Sequence, residues 1–367
     1  MANSTNFIRS ASATVILLAL AVPLPGQYAA HRNGDVVQLE DTQHKTVVSI
    51  LPSVGDVVFD MTVNGQKILR FPYASVEEFK ARPGLVGIPF LGPWANRLDE
   101  QGFYANGKKY NFNMSLGNIR GAIPIHGFLT QNPYWEIVEM KSDKKAAWLT
   151  CRLDFYKHPD WMAQFPFAHT IEITQRLEDG VLQVQTRIVN LSTDPMPVAI
   201  GFHPYYQLTD SKREDWVIGV GARKQYLLAA NKVPTGETGA IEAMFPDPQA
   251  GRLKDYDLDH VFGDLIRDTN GRSKFSVTGK KQKIELQFGP QYLASVIYSP
   301  DPTVPPAPLP AGATRRPPQD LNFVAFEPMA GITDSMNLAQ KGLYKEQQYI
   351  APGGTWTESF WVKPSGF

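Results

Sequence analysis

Apolar and polar residues alternate with a period of two through much of this chain. In residues 169–177, Ile171, Ile173 and Leu177 alternate with Glu172, Thr174 and Arg176. In residues 181–190, Val184, Thr186 and Ile188 alternate with Gln183, Gln185 and Arg187. A period of two puts one face of a strand in the core and the other in water. The two arms meet at Glu178-Asp179-Gly180, a hairpin signal. Asn64-Gly65 joins Val57–Val63 to residues 66–71 in the same way, and Asn106-Gly107 does so within residues 102–112. Further strands are predicted at 283–288, 294–298, 321–326 and 356–362. Helical signals are few; the predicted one starts at Val76, with Ser75 as its cap.

Heptads, fixed-period repeats and breaks in composition are all missing from the sequence. Residues 299–318, rich in Pro, Ala and Thr, read as an extended surface excursion between two strands. The expected fold class is all-β, a large antiparallel β-sandwich, with residues 31–367 as a single domain. A length of 367 residues would suit two domains, but large sandwiches often run long as one.

Composition narrows the function. Thirty-six basic and 36 acidic residues cancel, so no basic surplus points to nucleic acid or an anionic membrane surface. A neutral small molecule is the expected partner. Cys151 is the one cysteine and excludes an internal disulfide. It shares a strand face with Leu149, Leu153 and Phe155, as a buried structural thiol would. Arg9 precedes an apolar run from Ala13 to Val22, with small residues at Ala29 and Ala30. This reads as a signal peptide over residues 1–30, although Tyr28 disturbs a cut after Ala30. An uncleaved anchor is the alternative, but the run is short for a membrane span. Export without disulfides points to a bacterial periplasm or exterior.

Four polar clusters interrupt the apolar strands. Asn96-Arg97 ends a Pro- and Gly-bearing apolar loop. The pair offers a fork of donors for ring and hydroxyl oxygens, or it ties down a loop carbonyl. His126-Gly127 sits in an apolar setting, as a ligand or as a satisfied core histidine. Gly201-Phe202-His203-Pro204-Tyr205-Tyr206 closes the long alternating segment. A histidine held at a strand end suits acid–base work near neutral pH, or it is a half-buried corner residue. Glu327 follows Phe323-Val324-Ala325-Phe326. A carboxylate among apolar strand residues has a role or a partner.

These four clusters, in this order, resemble the aldose 1-epimerases (galactose mutarotases). Asn96-Arg97, His126-Gly127 with Trp135 beyond it, Gly201–Tyr205 and Ala325–Pro328 resemble that family's signatures. So do Thr333–Asn337, Leu343 with Pro352-Gly353-Gly354, and a fifth element, Leu258–Phe262. The resemblance spans residues 35–364. It implies a mutarotase-type supersandwich that interconverts the anomers of a free aldose, with Glu327 as base and His203 as acid. It also implies that Asn96, Arg97, His126 and Asp259 hold the sugar, without a metal or organic cofactor. The seven histidines show no His-x-x-x-His spacing of the zinc type. A monomer or homodimer without stable membrane insertion is expected, with His203 and Glu327 on opposite sides of a sugar-sized cleft. The preferred sugar is left open by the stretch after Glu327 and by the long Pro-rich run.

Three rivals remain at this point. A hexose 6-phosphate epimerase needs an Arg or Lys cluster, and Arg315-Arg316 lie in the Pro-rich run. A glycoside hydrolase or lyase would pair Asp259 with Glu327. A carbohydrate-binding protein would keep the cleft without turnover.

Overall fold

At each of the three hairpin turns both central residues take a left-handed conformation. φ is 50° and 75° at Asn64 and Gly65, 52° and 73° at Asn106 and Gly107, and 50° and 70° at Asp179 and Gly180. This geometry matches the twist of the flanking strands. Val63 therefore pairs with Gln66, Ala105 with Lys108 and Glu178 with Val181. The computed structural model describes Met1 and residues 26–115, 119, 120, 122–304 and 321–367. The apolar run at 13–22 and most of the proline-rich run, with Arg315 and Arg316, lie outside the described residues.

Three antiparallel sheets carry the fold. A five-stranded meander runs Tyr28–Asn33, Val36–Asp41, Thr46–Leu51, Val57–Val63 and Gln66–Lys67. A nine-stranded sheet is centred on His169–Glu178, Val181–Asn190, Thr355–Ser365 and Lys283–Phe288. A seven-stranded sheet, which carries the candidate site, has the order Pro234–Ala240, Ala222–Leu228, Leu258–Leu265, Ala294–Ser299, Ala325–Met329, Gly201–Phe202, Phe90–Leu91. The expected all-β sandwich is what the chain adopts.

One continuous apolar core joins the three sheets. Phe202 meets Phe360 at 5.0 Å between ring centroids, and Phe275 meets Phe326 at 5.9 Å, so the seven- and nine-stranded sheets pack face to face. Cys151 is fully buried there. Burial and the adjacent Asp56 carboxyl push its thiol far up, so it stays protonated and inert.

The other face of the seven-stranded sheet has a smaller core. Leu91, Val261, Val296 and Met329 pack there with Ile332, Leu338 and Tyr344. Alternation along Ala325–Met329 therefore sends Phe326 into the main core and Glu327 to this second face.

Some elements differ from expectation. The strand predicted at 321–326 runs instead over Ala325–Met329, because Val324 pairs with Tyr206 outside the sheet. The second arm after Asn64-Gly65 stops at Lys67, because Leu69 also turns to Tyr206. Ser75 caps Val76–Ala81 as predicted, accepting from the Glu78 N–H. Pro159–Gln164 and Ser335–Gln340 are helices that the apolar pattern did not announce. No described helix is long and apolar enough to cross a membrane.

The first described strand is anchored from its start. Gln27 accepts from the Thr42 N–H and donates to Asp41. The Tyr28 ring lies in the main core, and its hydroxyl bonds Asp179 at the third hairpin turn. A chain starting at His31 loses all of these contacts. It is expected to be less stable than one starting at Gly26 by about 3 kcal/mol, the usual cost of deleting a core aromatic. Thermal unfolding of the two chains checks this; equal midpoints would show that Gln27 and Tyr28 contribute nothing.

Candidate active site

Strand register builds the floor of the site. Asp259 pairs with Tyr298, Tyr298 with Ala325, and Val296 with Glu327. Asp259, Tyr298 and Glu327 therefore share the face of the second core. His260, one residue on, takes the opposite parity with Leu258 and Phe262, whose side chains lie in the main core. Its Nδ1 accepts from the Asp259 N–H. Trp135 packs edge-on against Phe90 as a core residue.

His203 follows the short strand Gly201–Phe202, and its N–H donates to the Pro89 carbonyl at 3.1 Å. Gly201 pairs with both Leu91 and Met329. A Cβ there would meet the Pro328 oxygen at 2.8 Å, so glycine lets the histidine strand sit close to the Glu327 strand.

Asn96, Arg97 and His126 come from two loops tied to each other. Asn96 and His126 both hold left-handed backbone, with φ of 57° and 60°. The His126 N–H donates to the Asn96 carbonyl at 2.9 Å, and the Asn96 N–H donates to His126 Nδ1 at 3.2 Å. That acceptor role leaves the His126 ring proton on Nε2. Gly127 allows the crossing, since a Cβ there would lie 2.0 Å from the Gly92 oxygen. Asn96 Oδ1 accepts from the Arg97 N–H at 2.9 Å and from its Nη1 at 3.1 Å. The guanidinium then grips Asp259 with two bonds, of 3.3 Å and 2.9 Å. This fork is the strong, directional form of a charge pair.

The six residues singled out from the sequence thus form one connected site. His203 Nε2 lies 3.2 Å from Glu327 Oε1, with both side chains buried. The expectation that they face each other across a sugar-sized gap is corrected: they touch. The reason is strand pairing. Gly201 lies against Met329 with no side chain between the strands, so the histidine two residues on reaches the Glu327 side chain. The His126 ring stands edge-on to His203 at 5.4 Å.

Burial dominates the electrostatics. It lowers His203 to about 4, aided by the Arg97 charge and opposed by a backbone hydrogen bond and Asp259. It holds the Glu327 carboxyl well above its usual range; Asp259 adds to this and Arg97 works against it. Both groups are driven toward their neutral forms, so the resting contact is a carboxylic acid bonded to an imidazole, not an ion pair. The pair holds one proton between two sites. Glu327 Oε2 is buried with no partner among the described residues, and His203 Nδ1 faces only its own backbone. An orphaned buried polar atom costs about 1–3 kcal/mol, which a ligand can recover.

Aromatic rings that the sequence did not assign to the site surround His203. Tyr205 stacks on it at 4.6 Å and 12°, and Tyr298 meets it edge-on at 5.6 Å. Phe323 packs on Tyr205 at 5.0 Å and on Tyr298 at 5.8 Å. Tyr205 belongs to the histidine hexapeptide, and Phe323 opens the Glu327 cluster. Tyr298 had no local signal; only its pairing with Asp259 places it. Among the described residues no three His, Cys, Asp or Glu side chains gather as metal ligands.

Comparison with known proteins points one way. A family model for aldose 1-epimerase matches residues 35–363. An uncharacterized Escherichia coli protein, YihR, is 23% identical over 270 residues, which is 73% of this chain and 80% of that protein. A galactose mutarotase-like protein from Clostridium acetobutylicum has the same fold. It superposes with a TM-score of 0.76 at 20% identity, over 93% of this chain and 98% of that one. A galactose 1-epimerase from Lactobacillus acidophilus superposes at 0.68 with 15% identity, over 93% and 98%.

Proposed function

Since this chain belongs to the aldose 1-epimerase family of isomerases, we propose that it interconverts the α and β anomers of a free aldohexose such as glucose or galactose. The observation that carries this reading is the buried His203–Glu327 contact beside the Arg97–Asp259 fork. Glu327 takes the proton of the C1 hydroxyl while protonated His203 gives one to the ring oxygen. The C1–O5 bond breaks, C1 becomes an aldehyde carbon, and the C1–C2 bond rotates. On reclosure O5 attacks the other carbonyl face, His203 recovers its proton and Glu327 returns the other to O1. No proton is gained or lost overall.

The sugar biases the shared proton. An anomeric O–H donates best to a carboxylate, and a ring oxygen accepts best from an imidazolium. A bound sugar therefore favours the charge-separated form of the pair over the resting neutral one. His126, with its proton on Nε2, and Arg97 direct donors at the ring oxygen and nearby hydroxyls, while Asn96 and Asp259 hold Arg97 in place.

Two rivals lose ground on geometry. Asp259 is engaged by Arg97 through both oxygens, which suits it poorly to act as nucleophile or acid in glycoside hydrolysis. The site's one described ion pair to a guanidinium is also internal, so Arg97 is not waiting for a phosphate. The sequence leader would export this activity to the periplasm or beyond.

Polarimetry of freshly dissolved α-D-glucose and α-D-galactose tests the reading. Rotation is expected to reach equilibrium faster with the protein than without it. No acceleration with either sugar, for folded protein, would rule out these two substrates and favour a binding protein or another aldose.

A further inference from the structure

We infer that Asp334 and Asn337, at the start of the helix Ser335–Gln340, are positioning residues that set the aim of Arg97. The Asp334 N–H donates to the Arg97 carbonyl at 3.1 Å. Its Oδ1 accepts from the Asp99 N–H at 2.9 Å, so one residue grips the chain on both sides of Leu98. Asn337 completes the clamp. Its Nδ2 donates to Asp334 Oδ1 at 2.7 Å, to the Gly102 carbonyl at 3.0 Å and to the Asp99 carbonyl at 3.2 Å, and its Oδ1 accepts from the Tyr104 N–H at 3.2 Å.

The clamped turn needs holding. Glu100 and Gln101 have left-handed φ of 58° and 52°, and Asn96 on the other side has 57°. Three such non-glycine residues within six positions carry conformational strain, which persists only where the surroundings over-determine it. Asp334 and Asn337 are themselves at most 1% exposed. Neither touches the His203–Glu327 pair in any described contact. Their bonds go instead to the backbone from Arg97 to Tyr104, and the guanidinium reaches Asp259 from that backbone. A shift of the turn would carry the guanidinium with it.

Asp334 itself has a left-handed φ of 61°. Asp334→Gly therefore removes the carboxyl without imposing a strained backbone, and keeps the N–H bonded to Arg97. Asp334→Asn keeps an oxygen acceptor in the same place. The inference uses the proposed reaction only for its kinetic readout. With the best aldose of a panel, Asp334→Gly is expected to lower kcat/KM by about tenfold to a hundredfold, mostly through KM, as a misplaced binding group does. Asp334→Asn should restore most of it, and Asp334→Gly should add little to Arg97→Ala. Asn337→Ala gives the same reading should the glycine variant not fold.

The Nε–Hε resonance of Arg97 reports the guanidinium without any sugar. It should move in Asp334→Gly and stay in Asp334→Asn. An unmoved resonance overturns the inference whatever the reaction proves to be. Unchanged kcat/KM, or losses that simply multiply with Arg97→Ala, also overturn it. A wild type inactive on every aldose would sink the proposed reaction alone, and the resonance would still decide the clamp.

Discussion

Glu327→Gln is expected to lower kcat for anomer interconversion by about 10²–10⁴-fold, the usual worth of a positioned general base. The glutamine keeps the shape of the side chain and can donate to His203 Nε2, but it cannot take the C1 hydroxyl proton. Polarimetry with a saturating aldose checks the rate. A variant with more than about a tenth of wild-type kcat would remove Glu327 from the role of base.

The same substitution should not unfold the protein. Burial raises the Glu327 carboxyl in the folded state above its value in the unfolded chain. Above the unfolded value the folded protein therefore binds more protons than the unfolded one, and stability falls as pH rises. This contribution is fully present in acid and is lost as pH climbs through the raised value. Glutamine removes the dependence. The variant should unfold at or above the wild-type temperature at pH 7, and gain relative to wild type as pH rises from the ordinary value of 4.5 toward the raised one. A loss of both rate and stability would mark Glu327 as a structural residue instead.

The sequence revealed the chemistry of this site more fully than its geometry. Glu327, His203 and Arg97 stand out because a polar residue in an apolar strand or loop needs a reason to be there. Which of them touch is decided by strand pairing. Tyr298 enters the site only because Asp259 lies opposite it across two strands far apart in the chain. Asp334 and Asn337 lie in a stretch that the resemblance marked, but their work was hidden, because it runs through backbone bonds to residues more than 230 positions away. The hairpins were legible because Asn-Gly and Asp-Gly answer to a local rule. Pro159–Gln164 and Ser335–Gln340 were not, because six residues cannot show a helical period and neither has a side-chain cap such as Ser75 gives Val76–Ala81. The strand with Glu327 was shifted because Val324 finds its partner in Tyr206, on another segment.

The pH dependence of kcat/KM should show whether one shared proton drives the reaction. The pair is competent with one proton, idle with two and idle with none. The acid limb is the arrival of the second proton, and it follows His203, which burial lowers to about 4. The alkaline limb is the loss of the last one, and it follows Glu327, which burial raises. The profile should therefore be a wide bell, falling tenfold per unit below about 4, flat from about pH 5 up to the raised value of Glu327, and falling again above it. Neighbouring charges then move both limbs together. The Asp259 carboxylate raises both groups, so Asp259→Asn should slide the whole bell to lower pH. The Arg97 guanidinium lowers both, so Arg97→Gln should slide it to higher pH. Each variant also weakens sugar binding, which changes the height of the curve but not the position of its limbs, because kcat/KM reports the free enzyme. Opposite displacements would place the proton on this pair; limbs that stay fixed in both variants would assign the acid and base to other residues.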